Sequence, residues 1–290
     1  MKPLHLAFIL FIDLVWAGNI IAVKVAVDAA GPLTAVLLRY GIVALVCLPW
    51  LKWLPGRMLM LIGTGLVAGA LFMGLGALGF AVADNISALA IAGQLGVPFS
   101  LILAVLVDKE RIRWPRTVAI ILSFAGVVVM GFDKAILHES LGLWLTVAAC
   151  FCWAAGNLLF RRMQGVPVLT IHAWLSTISL PPLLLAALWL EPQGLAAIPA
   201  LPWPVWVAAA YSALLSSLLG HGGMTWLFQR YPVGVVSPLT LPTPLLSVSM
   251  AVLVFHTPIT VQMVLGGILT LVGVAIITLR TARPLDEGGK

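Results

Sequence analysis

Ten predominantly apolar runs follow one another along this chain, and each is close to the length a helix needs to cross a bilayer. They are Leu4 to Val25, Leu33 to Trp53, Met58 to Val82, Ile86 to Val107, Trp114 to Phe132, Leu141 to Phe160, Val168 to Leu190, Trp203 to Phe228, Val233 to Phe255 and Thr260 to Leu279. A spanning helix takes about 20 residues. Barrel strands would alternate apolar and polar positions, whereas these runs are apolar on every face. Helix is then the one form that satisfies its own backbone hydrogen bonds in lipid. A water-soluble fold is excluded because 62% of the 290 residues are hydrophobic and 9% are charged, too few to make a polar surface. The expected fold class is an all-α polytopic membrane protein.

The connections are short and marked by Pro, Gly or charge: Ala30-Gly31-Pro32, Pro55-Gly56-Arg57, Asp108 to Arg113, Gly165-Val166-Pro167 and Pro199 to Pro204. They leave no room for a soluble domain. Counting basic residues on alternate sides of ten helices puts 13 of the 16 Lys and Arg on the side of both termini. Lys24, Arg39 and Lys134 are left on the other side. The positive-inside bias therefore places both termini in the cytoplasm, with the chain in a bacterial inner (plasma) membrane. It also accounts for the net charge of +6 without nucleic acid, since the cations form no stripe. Residues 282–290 read as a polar, disordered cytoplasmic tail. Lys2 and the short apolar stretch after it lack a clean cleavage site, so the first helix is expected to be retained. Cys47, Cys150 and Cys152 lie inside apolar runs without metal-ligand spacing and read as packing residues.

The chain also repeats itself. Ala104-Val105-Leu106-Val107 returns 147 residues later as Ala251-Val252-Leu253-Val254, and Gly126-Val127 returns as Gly273-Val274. Trp16-Ala17-Gly18-Asn19 has its echo in Trp153-Ala154-Ala155-Gly156-Asn157, where Gly and Asn are shifted by 138 residues. The connection from Glu191 to Pro204 is the natural place for the difference. Five helices per unit is an odd number, so the second unit enters the membrane from the opposite side. Two inverted five-helix repeats are expected, residues 1–136 and 137–281. Such repeats commonly hold a transport site at their interface near the bilayer midplane.

At this point the chain resembles the EamA branch of the drug/metabolite transporter superfamily over nearly its whole length. The resemblance rests on Trp16 with Gly18-Asn19, on Pro32 followed by Arg39-Tyr40, on Pro98 midway along the fourth helix, and on Glu110-Arg111 at its end. Thr257 departs from the pattern, standing where the second half usually has a Glu. Among family members, exporters of aromatic amino acids are the nearest match. The resemblance implies a central cavity lined by the first, third, fourth, sixth, eighth and ninth helices, and export of amino acids or similar metabolites.

Polar side chains at bilayer depth are costly, and those that persist face a cavity or another helix. Asn19 and Asn157 occupy equivalent places, either meeting one solute or bonding across packed helices. Gln94 precedes Pro98, and its counterpart is the denser Pro238-Leu239-Thr240-Leu241-Pro242-Thr243-Pro244. Paired interruptions of this kind mark transporter binding regions, although a simple proline kink would read the same way. Gln94 and Val97, with Thr240 and Thr243, are the expected location of the site. His221 sits between Gly220 and Gly222-Gly223, where a helix or a ligand can come close, as a structural hydrogen-bonder or a proton carrier; His172 is a weaker candidate. Asp13 lies deep in the first helix, either as a proton acceptor or amine ligand, or as partner to a nearby donor. Trp16, Trp153 and Trp226 can offer ring faces to a solute. Trp50, Trp53, Trp114, Trp189, Trp203 and Trp206 read as interfacial anchors. Gly69, Gly74, Gly76 and Gly79 allow close helix contact.

Phosphate loops, metal-ligand clusters and nucleophile motifs are missing from the sequence, so no cofactor, metal or ATP-driven chemistry is expected. The reading is a secondary transporter, not an enzyme, functioning as a monomer among membrane lipids. Its solute contacts are Trp16, Asn19, Gln94, Trp153, Asn157, His221, Trp226 and Thr240, and its coupling candidates are Asp13 and His221. An exporter of another solute class, a membrane-embedded enzyme on lipid-linked substrates, and a channel are the rivals. A single central cavity open to one side favours the transporter.

Overall fold

The computed structural model describes residues 2–83, 86–108, 114–131, 140–228, 230–231, 236–240 and 242–281. All regular secondary structure among them is helical. We number the main helices α1 (Pro3–Ala30), α2 (Pro32–Cys47), α3 (Met58–Val82), α4 (Ile86–Val107), α5 (Trp114–Gly131), α6 (Ser140–Arg161), α7 (Val168–Leu190), α8 (Trp203–Leu227), α9 (Pro242–Phe255) and α10 (Val261–Thr281). Seven are long and apolar enough to cross a membrane: α1, α2 with its continuation to Trp50, α3, α4, α6, α7 and α8. The apolar stretches of α5, α9 and α10 are shorter, at Thr117–Val129, Pro242–Phe255 and Val261–Ile277. Large apolar side chains cover the outside, Leu59 and Trp189 each being 84% exposed, as a lipid-facing surface requires.

Helix boundaries differ from the sequence reading in several places, as where α2 ends at Cys47 and a 3-10 turn at Leu48–Trp50 stops short of the expected Trp53. α1 runs on to Ala30, so Lys24 and Asp28 sit on its final turns and pair at 2.9 Å. Among the described residues of the ninth apolar run, a 3-10 turn at Ser237–Thr240 precedes the helix that begins at Pro242. Prolines 238, 242 and 244 remove the donors that would extend the helix backward. The Glu191 to Pro204 connection holds a short helix, Pro192–Ala197, and a 3-10 turn. The repeat boundary at 136, Glu110-Arg111 and the 282–290 tail lie outside the described residues.

The turn between α1 and α2 consists of Gly31 alone, at φ +87°, and Pro32 opens the next helix. The α2 amide donors left free at that end are capped from elsewhere in the chain. Glu191 accepts hydrogen bonds from Leu33 N (2.9 Å), Thr34 N (3.1 Å) and the Thr34 hydroxyl (3.2 Å). A carboxylate suits this place because the helix N-terminus carries partial positive charge.

α5 and α10 pack closely against each other. A Cβ at Gly126 would meet Thr270 and Gly266, and a Cβ at Gly273 would meet Ser123 and Ala119. These four contacts are reciprocal under the 147-residue shift, which carries Ala119 to Gly266, Ser123 to Thr270 and Gly126 to Gly273. As numbering rises along one helix it falls along the other, so the pair is antiparallel. Thr270 closes it by donating to the carbonyl of Ser123 at 3.2 Å.

A second correspondence links α3 and α8. Each contains a π-helical segment, Gly65–Leu71 and Tyr211–His221, beginning 146 residues apart. The wider turn shifts side chains out of α-helical register, a deviation that recurs at functional sites.

Candidate functional site

A cavity of about 380 Å³ lies inside the bundle. Its walls come from residues 16–27 of α1, 35–39 of α2, 72–80 of α3, 89–93 of α4, 146–153 of α6 and 209–221 of α8, with Ser247 of α9. Consecutive helices run antiparallel here, so these segments share one end of the bundle, the end that holds Gly31 and Glu191. Six of the seven contributing helices are those the family resemblance implied. The seventh is α2.

At the inner limit of the cavity, Trp16 and Trp153, which precede Gly18-Asn19 and Gly156-Asn157 in the sequence, flank His221. Each indole lies 5.1 Å from the imidazole, at interplanar angles of 40° and 50°. Phe72 extends the stack beyond Trp153 at 4.9 Å. His221 has no symmetric counterpart, because 146 residues earlier the chain has Leu75. Gly220 makes room for the Trp16 indole and Gly223 for Phe8, so α1 side chains fill the space those glycines open. The Trp16 Nε1 donates to Ser216 O at 3.3 Å and fixes the ring.

Below this stack, the described residues of α1 and α8 pack together. Ile9, Ile12, Met224, Leu227 and Val236 form a buried cluster. Outside it, His5 Nδ1 lies 2.7 Å from the Tyr231 hydroxyl, His5 meets Trp226 edge-on at 5.1 Å, and the Arg230 guanidinium sits 3.9 Å above the Trp226 ring. The start of α1 is thereby fastened to the end of α8.

Of the residues singled out in the sequence, Trp16, Asn19, Trp153 and His221 line the cavity together. Asn19 accepts a hydrogen bond from Ser212 at 2.8 Å. Gln94, Asn157, Trp226 and Thr240 are not part of its walls. Both proline-rich interruptions exist, as 3-10 turns at Gly93–Leu95 and Ser237–Thr240, but of these two turns Gly93 alone reaches the cavity. The Cys150 thiol reaches the carbonyl of Gly93 at 3.3 Å beside that break. Asp13 is fully buried outside the cavity wall, where Thr243 of α9 donates to its Oδ1 at 2.7 Å. Thr257 lies 2.8 Å from Ser87, joining the end of α9 to the start of α4. Trp53, Trp114, Trp189 and Trp203 are exposed near helix ends, as anchors would be. In α3, Gly69 packs on Ser179 and Gly79 on Gly142, whereas Gly76 meets nothing and opens onto the cavity.

The sequence reading missed Arg39. It lies inside the second apolar run and was counted only as a charge on one membrane face, but it stands eight residues into α2, 5% exposed, on the cavity wall. Its Nε donates to Ser217 Oγ at 2.8 Å and its Nη2 to Ser216 Oγ at 3.4 Å. A charge inside an apolar run was the available signal, the same one that drew attention to Asp13. The π segment of α8 supplies both serines, and Ser217 itself bonds back to Ser212 O at 3.1 Å. No group of three or more His, Cys, Asp or Glu side chains that could hold a metal is present among the described residues.

The EamA-like transporter family model matches this chain twice, over residues 4–132 and 140–279. The chain belongs to the EamA-like transporter family. It is 27% identical over 281 residues to a Salmonella typhimurium protein named "Probable amino-acid metabolite efflux pump", covering 92% of each chain. An Escherichia coli protein of the same name is 26% identical over 277 residues, with the same coverage. Among solved structures, one crystal structure superposes with a TM-score of 0.64 at 17% identity, over 97% of this chain and 98% of that one, a likeness of fold. As an EamA-like transporter, the protein is a multi-pass membrane protein that handles a small-molecule solute.

Proposed function

We propose that this EamA-like transporter exports amino acids, aromatic or other neutral ones, or similar small metabolites, by alternating access between two inverted five-helix repeats. Residues 1–136 and 137–281 form the repeats, with both termini in the cytoplasm of a bacterial cell. The carrying observation is a cavity reaching from the Gly31 end of the bundle to the Trp16, His221 and Trp153 stack, below which the described residues of α1 and α8 pack together. A channel would need a continuous polar path through that packing. The reciprocal antiparallel packing of α5 and α10 supports the inverted repeat, and the basic bias of the sequence supports the orientation. The relatives' name, amino-acid metabolite efflux pump, supports the solute class.

Trp16, Asn19, Trp153 and His221 contact the solute in this reading. The coupling candidates are Asp13 and His221, each holding a buried polar atom without a partner, Asp13 Oδ2 and His221 Nδ1. Purified protein in proteoliposomes should give saturable flux of labelled amino acids that is weakened by Trp153→Ala. The absence of such flux for every amino acid would remove the substrate assignment. Counterflow with and without a pH gradient tests the coupling, and an indifferent response removes both proton carriers.

A further inference from the structure

We propose that Arg39 is the anion anchor of the cavity and that the transported solute docks a carboxylate on its guanidinium. This rests on the transporter reading and deepens it by naming the group on the solute that the site recognises.

Arg39 is a buried cation whose hydrogen-bond partners, the Ser216 and Ser217 hydroxyls, are both neutral. A guanidinium carries five N–H donors, so two hydroxyl bonds leave most of its fork unused. Among the described residues no carboxylate forms an ion pair with Arg39: Asp28 pairs with Lys24, Glu191 caps α2, and Asp13 accepts from Thr243 on one oxygen. A buried charge without a counter-charge is costly at this depth. Hydroxyl dipoles offset part of that cost, and a carboxylate entering the cavity offsets far more, because its two oxygens match the planar fork.

The surroundings favour one orientation of such a solute. Asn19, held by Ser212, also lines the cavity and offers its amide. The Trp16 and Trp153 rings at the inner limit offer apolar faces to a side chain. α7, the counterpart of α2 in the second half, contains no Lys or Arg, so the anchor exists in one repeat only. One cationic point and one aromatic floor suit a small carboxylate with an apolar side chain.

The test uses four probes of similar shape: L-phenylalanine, hydrocinnamate, L-phenylalaninamide and phenethylamine. Each is titrated into the purified protein by tryptophan fluorescence and used to compete with counterflow of labelled L-phenylalanine. The two carboxylates should bind and compete at least about 10-fold better than the two probes without one, and Arg39→Gln should weaken the carboxylates by about 10- to 100-fold and erase the preference. Arg39→Lys should fall between. Equal binding of L-phenylalanine and its amide to the unmodified protein overturns the proposal, and so does a preference that survives Arg39→Gln. If Arg39→Gln does not fold, the four-probe series on the unmodified protein decides alone. Selective binding without flux removes the transporter reading and keeps the anchor, whereas no binding and no flux removes both.

Discussion

The α5 and α10 interface and the central cavity are built from the same repeat, and they treat its symmetry in opposite ways. Between α5 and α10, the close contacts of Gly126 and Gly273 are twins 147 residues apart, made of small residues that let two backbones approach. Around the cavity the symmetry begins with Trp16 and Trp153 and then fails. His221 faces the position of Leu75, Arg39 has no cationic counterpart in α7, and Asn19 lines the wall while Asn157 does not. A frame that must hold two halves in register gains from identical contacts. A site that must hold a solute with two different ends gains from their loss.

That contrast can be broken most severely at the frame. Gly126→Leu and Gly273→Leu each force a side chain into the facing backbone, and each should cost more than about 3 kcal/mol and deplete folded protein, measured by thermal unfolding in detergent. Reciprocity requires the two losses to match, and a tolerated Gly273→Leu beside a lethal Gly126→Leu would break it. His221→Leu makes the site resemble its own repeat partner. It should change stability by less than about 1.5 kcal/mol, since the volume is nearly kept, while cutting amino-acid flux about 10-fold or more by loss of the ring stack. The smallest effect belongs to the Lys24 and Asp28 pair on the last turns of α1. Lys24→Ala should cost no more than about 0.5 kcal/mol in the same unfolding assay, because a partly exposed i,i+4 ion pair is worth little.

Much of the frame was legible because lipid leaves few choices. Apolar length and the obligation to satisfy backbone groups placed the helices, and Val168–Leu190 came out to the residue because Pro167 and Glu191 bound it. In the ninth run the prolines at 238, 242 and 244 announced the interruption, a 3-10 turn at Ser237–Thr240 ahead of the helix from Pro242. Of the residues chosen for polarity or ring faces at depth, Trp16, Asn19, Trp153 and His221 lie on the cavity wall. The same reasoning chose Gln94, Asn157, Trp226 and Thr240, which lie off the cavity wall. The difference is rotation about the helix axis, about 100° per residue, and helices apolar on every face carry no signal that fixes it. The π segments added a further local rotation in α3 and α8 that no residue pattern announced. Arg39 was hidden by a different cause. Counting charges by loop assigned it to an aqueous face, although seven residues of α2 precede it.

The central claim, that the packed ends of α1 and α8 must part for solute to pass, is tested most directly by locking them together. His5→Cys and Tyr231→Cys, joined by a short cleavable crosslinker, would tie α1 to α8 across the contact that now measures 2.7 Å between their side chains. Amino-acid flux in proteoliposomes should stop when the link forms and return when it is cleaved. Undiminished flux through the linked protein would contradict alternating access at this site.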